Sequence, residues 1–85
     1  VDMFLAQIEQ KRELLKQAVT DSDLEAVRFN SHSMKGVAGD VGADAIRGKA
    51  ATIELKAKQN NVNELHEDME ELEALIEQTI QVMRA

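Results

Sequence analysis

The spacing of apolar residues restricts this 85-residue chain to one kind of fold. In four segments the apolar side chains recur every three or four positions, which places them on one face of an α-helix. The clearest segment is residues 24–41, whose face reads Leu24, Val27, Ser31, Met34, Ala38 and Val41. None of the segments shows the alternation of a strand, and proline is absent. The sequence therefore predicts an all-α protein.

Turn signals separate the four segments. They are "TDSDLE" near residue 20, "GDVG" at residues 39–42 and the asparagine-rich "KQNNVN" at residues 58–63. In the first of them Ser22 and Glu25 fit a capping box, and Asp21 is an alternative N-cap. The expected helices span approximately residues 2–19, 22–39, 43–59 and 62–84.

The short connections predict how these helices pack. A helix that follows its predecessor after a few residues runs antiparallel beside it. The four apolar faces then meet in an antiparallel up-down-up-down four-helix bundle, and residues 1–85 form a single small domain. A long helical hairpin that dimerises is the alternative, but three separate turn signals argue against it. We expect the domain to be a monomer.

Charge and composition exclude several classes of function. The formal net charge is −6, and all of the excess lies in residues 61–85, because acidic and basic side chains balance in residues 1–60. Nucleic acid is a poor partner for such a chain. The acidic run Glu64–Glu77 is most simply interpreted as a solvated helix face. Cysteine is absent, which excludes disulfides and thiol chemistry.

Membrane insertion is not expected either. No apolar run approaches the length of about 18 residues that a membrane-spanning helix needs. The first residues also lack the pattern of a secretory signal peptide. We therefore expect a soluble cytoplasmic domain without direct membrane contact.

The stretch "SHSMKG" at residues 31–36 places a histidine and a glycine inside the second helix. At 100° per residue, His32 points about 130° away from the apolar face and Lys35 about 70° away. His32 should therefore face solvent. Lys35 at i+3 and Arg28 at i−4 should flank its imidazole on the helix surface.

Two glycines on the same face of the second helix lower the stability of that helix. Each helical glycine costs about 1 kcal/mol relative to alanine. Gly36 faces away from the predicted core, so the approach of another molecule explains it better than internal packing. Gly39 lies above the same patch, although it is also a candidate C-cap residue. Phe29, one turn before His32, is a candidate docking residue; its alternative is an aromatic ring packed against the edge of the bundle.

Other chemistries fit these residues poorly. Two histidines on different helices without cysteine do not form a closed metal site, so no metal is expected. The serines beside His32 point about 100° away from it, which excludes a catalytic triad. No glycine-rich phosphate loop is present, so the domain should not bind ATP. His66 lies among carboxylates and is interpreted as an ordinary surface residue.

Around His32 the sequence resembles the histidine-containing phosphotransfer (HPt) domains of multistep phosphorelays. The family signature is a histidine, any residue, a hydrophobic residue, lysine and glycine, then small residues and a Gly-Ala pair that opens the next helix. Here these positions are His32, Ser33, Met34, Lys35, Gly36 and Gly42-Ala43. Ile53-Glu54 stands where the family often has a Leu-Glu pair.

The resemblance implies a function for the site. His32 would accept a phosphoryl group from the aspartyl phosphate of one response-regulator receiver domain and pass it to the aspartate of another. Lys35 would compensate the charge of the phosphoryl group. Contacts with the receiver are expected at Arg28, Phe29, Gly36 and Gly39.

The resemblance also implies what the domain leaves to its partners. It would be a carrier and not an enzyme, without a cofactor of its own, and Mg²⁺ would belong to the receiver. An attached hybrid histidine kinase is a further expected partner. A helical bundle that only binds a partner protein is the alternative function, but it would not explain a glycine beside an outward histidine and lysine.

Overall fold

Four α-helices make up the computed structural model, which describes residues 2–84 and the side chains of residues 3–83. The helices are α1 (Asp2–Thr20), α2 (Leu24–Asp40), α3 (Asp44–Lys58) and α4 (Leu65–Arg84). Residues 2–84 contain no strand. The prediction of an all-α fold is confirmed.

The helices form a ring in which each contacts two others. α2 packs against α1 and α3, and α4 packs against the same two helices from the opposite corner. Because the connections are short, successive helices reverse direction, and the result is the predicted antiparallel four-helix bundle. In the part of the chain that the structure describes, no helix combines the length and the apolarity needed to cross a bilayer.

The predicted apolar faces form the core, except that Val41, the last member of the α2 face, is the C-cap residue and is 46% exposed. The largest fully buried apolar side chains come from all four helices and are Ile8, Leu15, Val27, Met34, Ile46, Ile53, Leu72 and Ile76. Ser31 is equally buried, and its hydroxyl donates a hydrogen bond of 2.7 Å to the carbonyl oxygen of Val27. A serine is therefore tolerated in this face, because its own helix satisfies its polar atom.

The start of α2 differs from the prediction. Ser22 has a left-handed backbone, with φ of 54°, so it belongs to the turn and does not cap the helix. The N-cap is Asp23, whose carboxylate accepts a hydrogen bond of 3.2 Å from the backbone N–H of Ala26. The predicted capping box of Ser22 and Glu25 is wrong, and so is the alternative cap Asp21.

The α3–α4 connection is also longer than predicted. α4 begins at Leu65 instead of residue 62, because residues 59–64 form an extended turn in which Asn60 has a φ of 57°. The α2–α3 turn needs a left-handed residue as well, and Gly42 supplies it with a φ of 73°. The other helix ends agree with the expected ones to within about a residue.

One member of the acidic run is not solvated. The side chain of Asp68 is only 6% exposed, and it accepts a 2.7 Å hydrogen bond from Nζ of Lys56 and lies 3.6 Å from Nζ of Lys49. These pairs join α3 to α4. The interpretation of Glu64–Glu77 as a solvated face therefore fails at Asp68, which is an interhelical contact.

The two candidate caps of α2 can be separated by substitution. We expect Asp23→Ala to lower the free energy of unfolding by about 1 kcal/mol, because the Ala26 N–H loses its acceptor. Ser22→Ala should change it by less than about 0.5 kcal/mol, since the serine side chain caps nothing. Urea unfolding followed by circular dichroism measures both values. The reverse order would show that Ser22 is the cap.

Candidate functional site

His32 lies near the middle of α2 and is exposed as predicted, with 68% of its side chain accessible. The neighbouring Ser31 and the following Met34 are both fully buried in the bundle. The core therefore fixes the backbone on one side of α2, while the imidazole stands on the other side.

Glu54 of α3 is the central acceptor of the site. Its side chain is only 7% exposed, yet it contacts three cationic or polar groups. Its Oε2 lies 2.9 Å from Nδ1 of His32, and its Oε1 accepts a 2.8 Å hydrogen bond from Nζ of Lys35. Nζ of Lys58 lies 3.6 Å from Oε2. A buried carboxylate is tolerated only with such partners.

The partners determine the charge state of Glu54. Burial by itself would raise the pKa of this carboxyl, but the hydrogen bonds from Lys35 and His32 and the charges of Lys35 and Lys58 outweigh it, so the pKa is lowered. Glu54 is therefore a carboxylate at neutral pH.

This carboxylate also distinguishes the two nitrogens of His32. A carboxylate can only accept a hydrogen bond, so the proton of the neutral imidazole lies on Nδ1. The lone pair is then on Nε2. No hydrogen bond from the described side chains occupies that atom. The arrangement leaves a nucleophilic nitrogen on an exposed ring.

Lys35 and Arg28 flank the imidazole differently. Lys35 is 34% exposed and is held by Glu54, so it is part of an α2–α3 ion pair and not a free surface lysine. Arg28 is exposed and lies on the other side of His32. It shares a shallow cleft between α2 and α3, whose lining is Glu25, Arg28, Phe29, His32, Glu54 and Lys58.

Phe29 is 71% exposed at the rim of this cleft. The alternative interpretation, an aromatic ring packed against the edge of the bundle, is therefore wrong. A large apolar ring therefore projects into solvent beside the exposed histidine.

The two glycines of α2 have different surroundings. A Cβ atom at Gly36 would meet nothing within 4 Å, so packing within the domain does not require this glycine. A Cβ atom at Gly39 would lie 3.3 Å from Cδ of Arg47. The side chain of Arg47 in α3 therefore lies against Gly39. Gly39 is not a C-cap residue, because α2 continues to Asp40 and its C-cap is Val41.

Sequence reasoning did not assign a role in the site to Glu54 or Lys58. A signal for Glu54 exists, because it is four residues after Ala50 and three before Ala57, both of which belong to the apolar face of α3. A lone carboxylate beside an apolar stripe requires a partner. Lys58 follows four residues later and is one such partner.

His66 lies outside this site, and the described side chains do not form a metal centre. His66 is exposed in the first turn of α4 and lies in a depression formed with α1, not with α2 or α3. Among the side chains of residues 3–83, no group of three or more His, Asp or Glu is placed to hold a metal ion.

The lowered pKa of Glu54 predicts a pH-dependent stability. Its interactions stabilise the fold above the ordinary carboxyl pKa of about 4.3, and they are lost as the pH falls through the lower pKa of the folded state. We expect Glu54→Gln to lower the free energy of unfolding by about 1–2 kcal/mol at neutral pH, which is less than the usual cost of breaking a fully buried pair because the partners of Glu54 remain partly solvated. The difference from wild type should shrink below about pH 4.

Denaturant unfolding at a series of pH values measures this effect. Glu64→Gln is the matched control, because Glu64 is 59% exposed and pairs with Lys56 only at 3.5 Å. It should change the free energy of unfolding by less than about 0.5 kcal/mol throughout. A cost of Glu54→Gln that does not depend on acid pH would contradict the role of the Glu54 charge.

Comparison with known families identifies the family of this chain. The model of the Hpt domain matches residues 1–82. Comparison with curated proteins gives no match, and comparison with solved structures gives none. HPt domains are phosphotransfer carriers and not kinases, and they interact with receiver domains in phosphorelays. Since the family model covers all four helices of the bundle except the last residues of α4, this chain belongs to the Hpt domain family.

Proposed function

We propose that His32 is the phosphoryl carrier of this HPt domain and that it exchanges the group between the aspartates of two receiver domains. The observation that supports this most directly is the contact of 2.9 Å between Nδ1 of His32 and the buried Glu54, beneath an exposed ring. The imidazole of His66, the other histidine, makes no hydrogen bond with the described residues. Only His32 therefore has a partner that directs its second nitrogen outward.

The transfer follows from this geometry. The lone pair on Nε2 attacks the phosphorus of the receiver's aspartyl phosphate, an N–P bond forms, and the P–O bond to the aspartate breaks, so that the aspartate leaves as a carboxylate. The imidazole becomes positively charged, and the Nδ1–H remains hydrogen-bonded to the carboxylate of Glu54, which stabilises that charge. The reverse step delivers the phosphoryl group to the second receiver.

The surrounding cations compensate the phosphoryl charge. Transfer between receiver and carrier passes through a loose, in-line transition state, so positioning and electrostatics contribute most of the catalysis. The Lys35 ammonium has three donors and gives one to Glu54, which leaves others for the phosphoryl oxygens. Arg28 and Lys58 line the cleft on the other side of His32 and add positive charge there.

The receiver docks over α2 and α3 in this proposal. Phe29 supplies an apolar contact, and the open surface at Gly36 allows the active-site loops of the receiver to approach His32. Mg²⁺ and the acidic pocket that binds it belong to the receiver. We place the exchange in the cytoplasm, with a monomeric domain that acts alone or as part of a hybrid histidine kinase.

A bundle that only binds a partner is the competing function. It would need the exposed Phe29, and Glu54 would serve the packing of α2 against α3, but it would give no role to the exposed imidazole that Glu54 orients. Phosphotransfer accounts for both features, and for that reason we favour it.

Substitution of His32 tests the proposed function. We expect His32→Gln to abolish labelling by phosphoramidate, a small donor that needs no docking, and by a receiver domain phosphorylated with acetyl phosphate. The helical content should be unchanged, because the side chain is exposed. The label on wild type should be lost in acid and survive base, as a phosphohistidine does.

His66→Gln is the control for that experiment and should label like wild type. Labelling of His32→Gln at the wild-type rate would contradict the assignment, and loss of labelling in His66→Gln would move the acceptor to α4. If neither donor labels wild type, the interaction-module alternative is favoured.

Glycine substitutions separate docking from chemistry. Gly36→Gln should slow transfer from a phosphorylated receiver at least tenfold, because the new side chain occupies the space above α2 beside His32. Labelling by phosphoramidate should stay within twofold of wild type. Both should be measured by single-turnover transfer of the label.

Gly36→Ala is the matched control. It gains helix propensity at the same position, where a Cβ meets nothing within 4 Å, but its methyl group does not extend over the surface beside His32. Both variants should stabilise the fold by up to about 1 kcal/mol. Equal slowing of receiver transfer by both would show that helix propensity, and not the surface at Gly36, controls the rate.

A further inference from the structure

We infer that Arg47 is a docking residue for the receiver and that Gly39 is a glycine because it holds the side chain of Arg47 against α2. The inference rests on the proposed function, since it concerns the surface around His32. It changes the role expected for Gly39, which was a direct contact with the partner.

The packing of Arg47 against Gly39 is the first observation. Cδ of Arg47 lies 3.3 Å from the position that a Cβ at residue 39 would occupy. An alanine there would push the arginine stem outward by a few tenths of an ångström. A glycine in this helix costs about 1 kcal/mol relative to alanine, and close packing of a neighbouring side chain is a physical reason for that cost.

The charged end of Arg47 is the second observation. The side chain is 55% exposed, and its Nε lies 4.0 Å from Asp44, which is at the outer limit of an ion pair. Such a surface pair contributes little free energy. Lys35, in contrast, is held by Glu54 at 2.8 Å. Arg47 therefore combines a stem that lies against α2 with a guanidinium whose donors are largely free.

A packed stem makes the guanidinium a better binding group. Immobilising a long side chain on binding costs about 0.5–1.5 kcal/mol, and a stem that is already packed lowers that cost. The guanidinium also presents a planar fork of donors, which suits a carboxylate on a partner. The expected contact on the receiver is therefore an acidic side chain.

The position of Arg47 falls inside the expected interface. Gly39 is seven residues beyond His32 on α2, which corresponds to about 10 Å along the axis. A standard interface buries about 800 Å² on each partner, which as a disc has a radius of about 16 Å. A receiver centred on His32 therefore covers Arg47.

The direction along the helix pair gives Arg47 a specific role. Arg28 and Lys58 lie on the side of His32 towards the start of α2, and Arg47 lies on the opposite side, beyond Gly36. Positive groups therefore stand at both ends of the surface that a receiver would cover. Two separated charge contacts fix the orientation of a docked partner, which a single central contact cannot do.

Charge reversal at Arg47 tests the inference, with Lys16 as the matched control. Lys16 is also 55% exposed and also has a weak carboxylate partner, Glu73 at 3.8 Å, but it lies on α1. With a phosphorylated receiver from the same organism, Arg47→Glu should raise the KM for the receiver at least tenfold with kcat within twofold. Lys16→Glu changes the net charge equally and should shift KM less than twofold. Arg47→Lys should retain an intermediate affinity.

A double-mutant cycle tests the role of Gly39. Gly39→Ala should raise KM about threefold in the wild-type background, because the added methyl displaces the arginine stem. The same change should have no effect in the background of Arg47→Ala, where nothing is displaced. An equal effect in both backgrounds would show that Gly39 contacts the receiver directly and would overturn the assignment of Gly39.

The outcomes separate the two proposals. Equal KM values for Arg47→Glu and Lys16→Glu overturn the docking role of Arg47, while phosphoramidate labelling of His32 still supports the phosphotransfer function. Absence of any label on wild type overturns the proposed function itself. Circular dichroism of Arg47→Ala, which adds no charge beside Asp44, verifies that a change in KM does not come from unfolding.

Discussion

The buried carboxylate of Glu54 is the interaction on which the site depends. It is enclosed by the bundle and is tolerated there because two lysines and a histidine direct their polar groups at it. These contacts join α2 to α3 at the level of His32. The same group therefore contributes to the packing of the helix pair and orients the imidazole, so that a change in the α2–α3 packing also moves the imidazole of His32.

This arrangement suits a carrier better than it suits an enzyme. A carrier must accept a phosphoryl group and release it again, so its histidine needs an orienting partner that is equally effective before and after transfer. The Nδ1–H remains available to Glu54 in both states, because the proposed chemistry occurs at Nε2. The remaining requirements, which are a metal ion and an acidic pocket, can then be left to the receiver.

The sequence was sufficient for the fold and for the exposed part of the site, but not for the contacts between helices. Apolar spacing predicts the four helices and the outward direction of His32, because both depend only on the geometry of one helix. Glu54 was not identified as a site residue, since its partners are 19 and 22 residues away in sequence. Ser22 was assigned as a cap because the capping box is a pattern of residue types, whereas its left-handed backbone is set by how α1 ends.

Gly36 and Gly39 show why one sequence signal can have two physical causes. Both are exposed glycines on one face of α2, and the sequence distinguishes them only by making Gly39 a candidate C-cap residue as well. At Gly36 the space above the helix is open, so the proposed reason lies outside the molecule; at Gly39 the side chain of Arg47 fills it. Together they cost about 2 kcal/mol of helix stability, which is large against a typical total of 5–15 kcal/mol. Folding alone would favour alanine at Gly36, so we assign that glycine to the approach of the receiver, whereas at Gly39 the packing of Arg47 inside the domain is itself a reason for glycine.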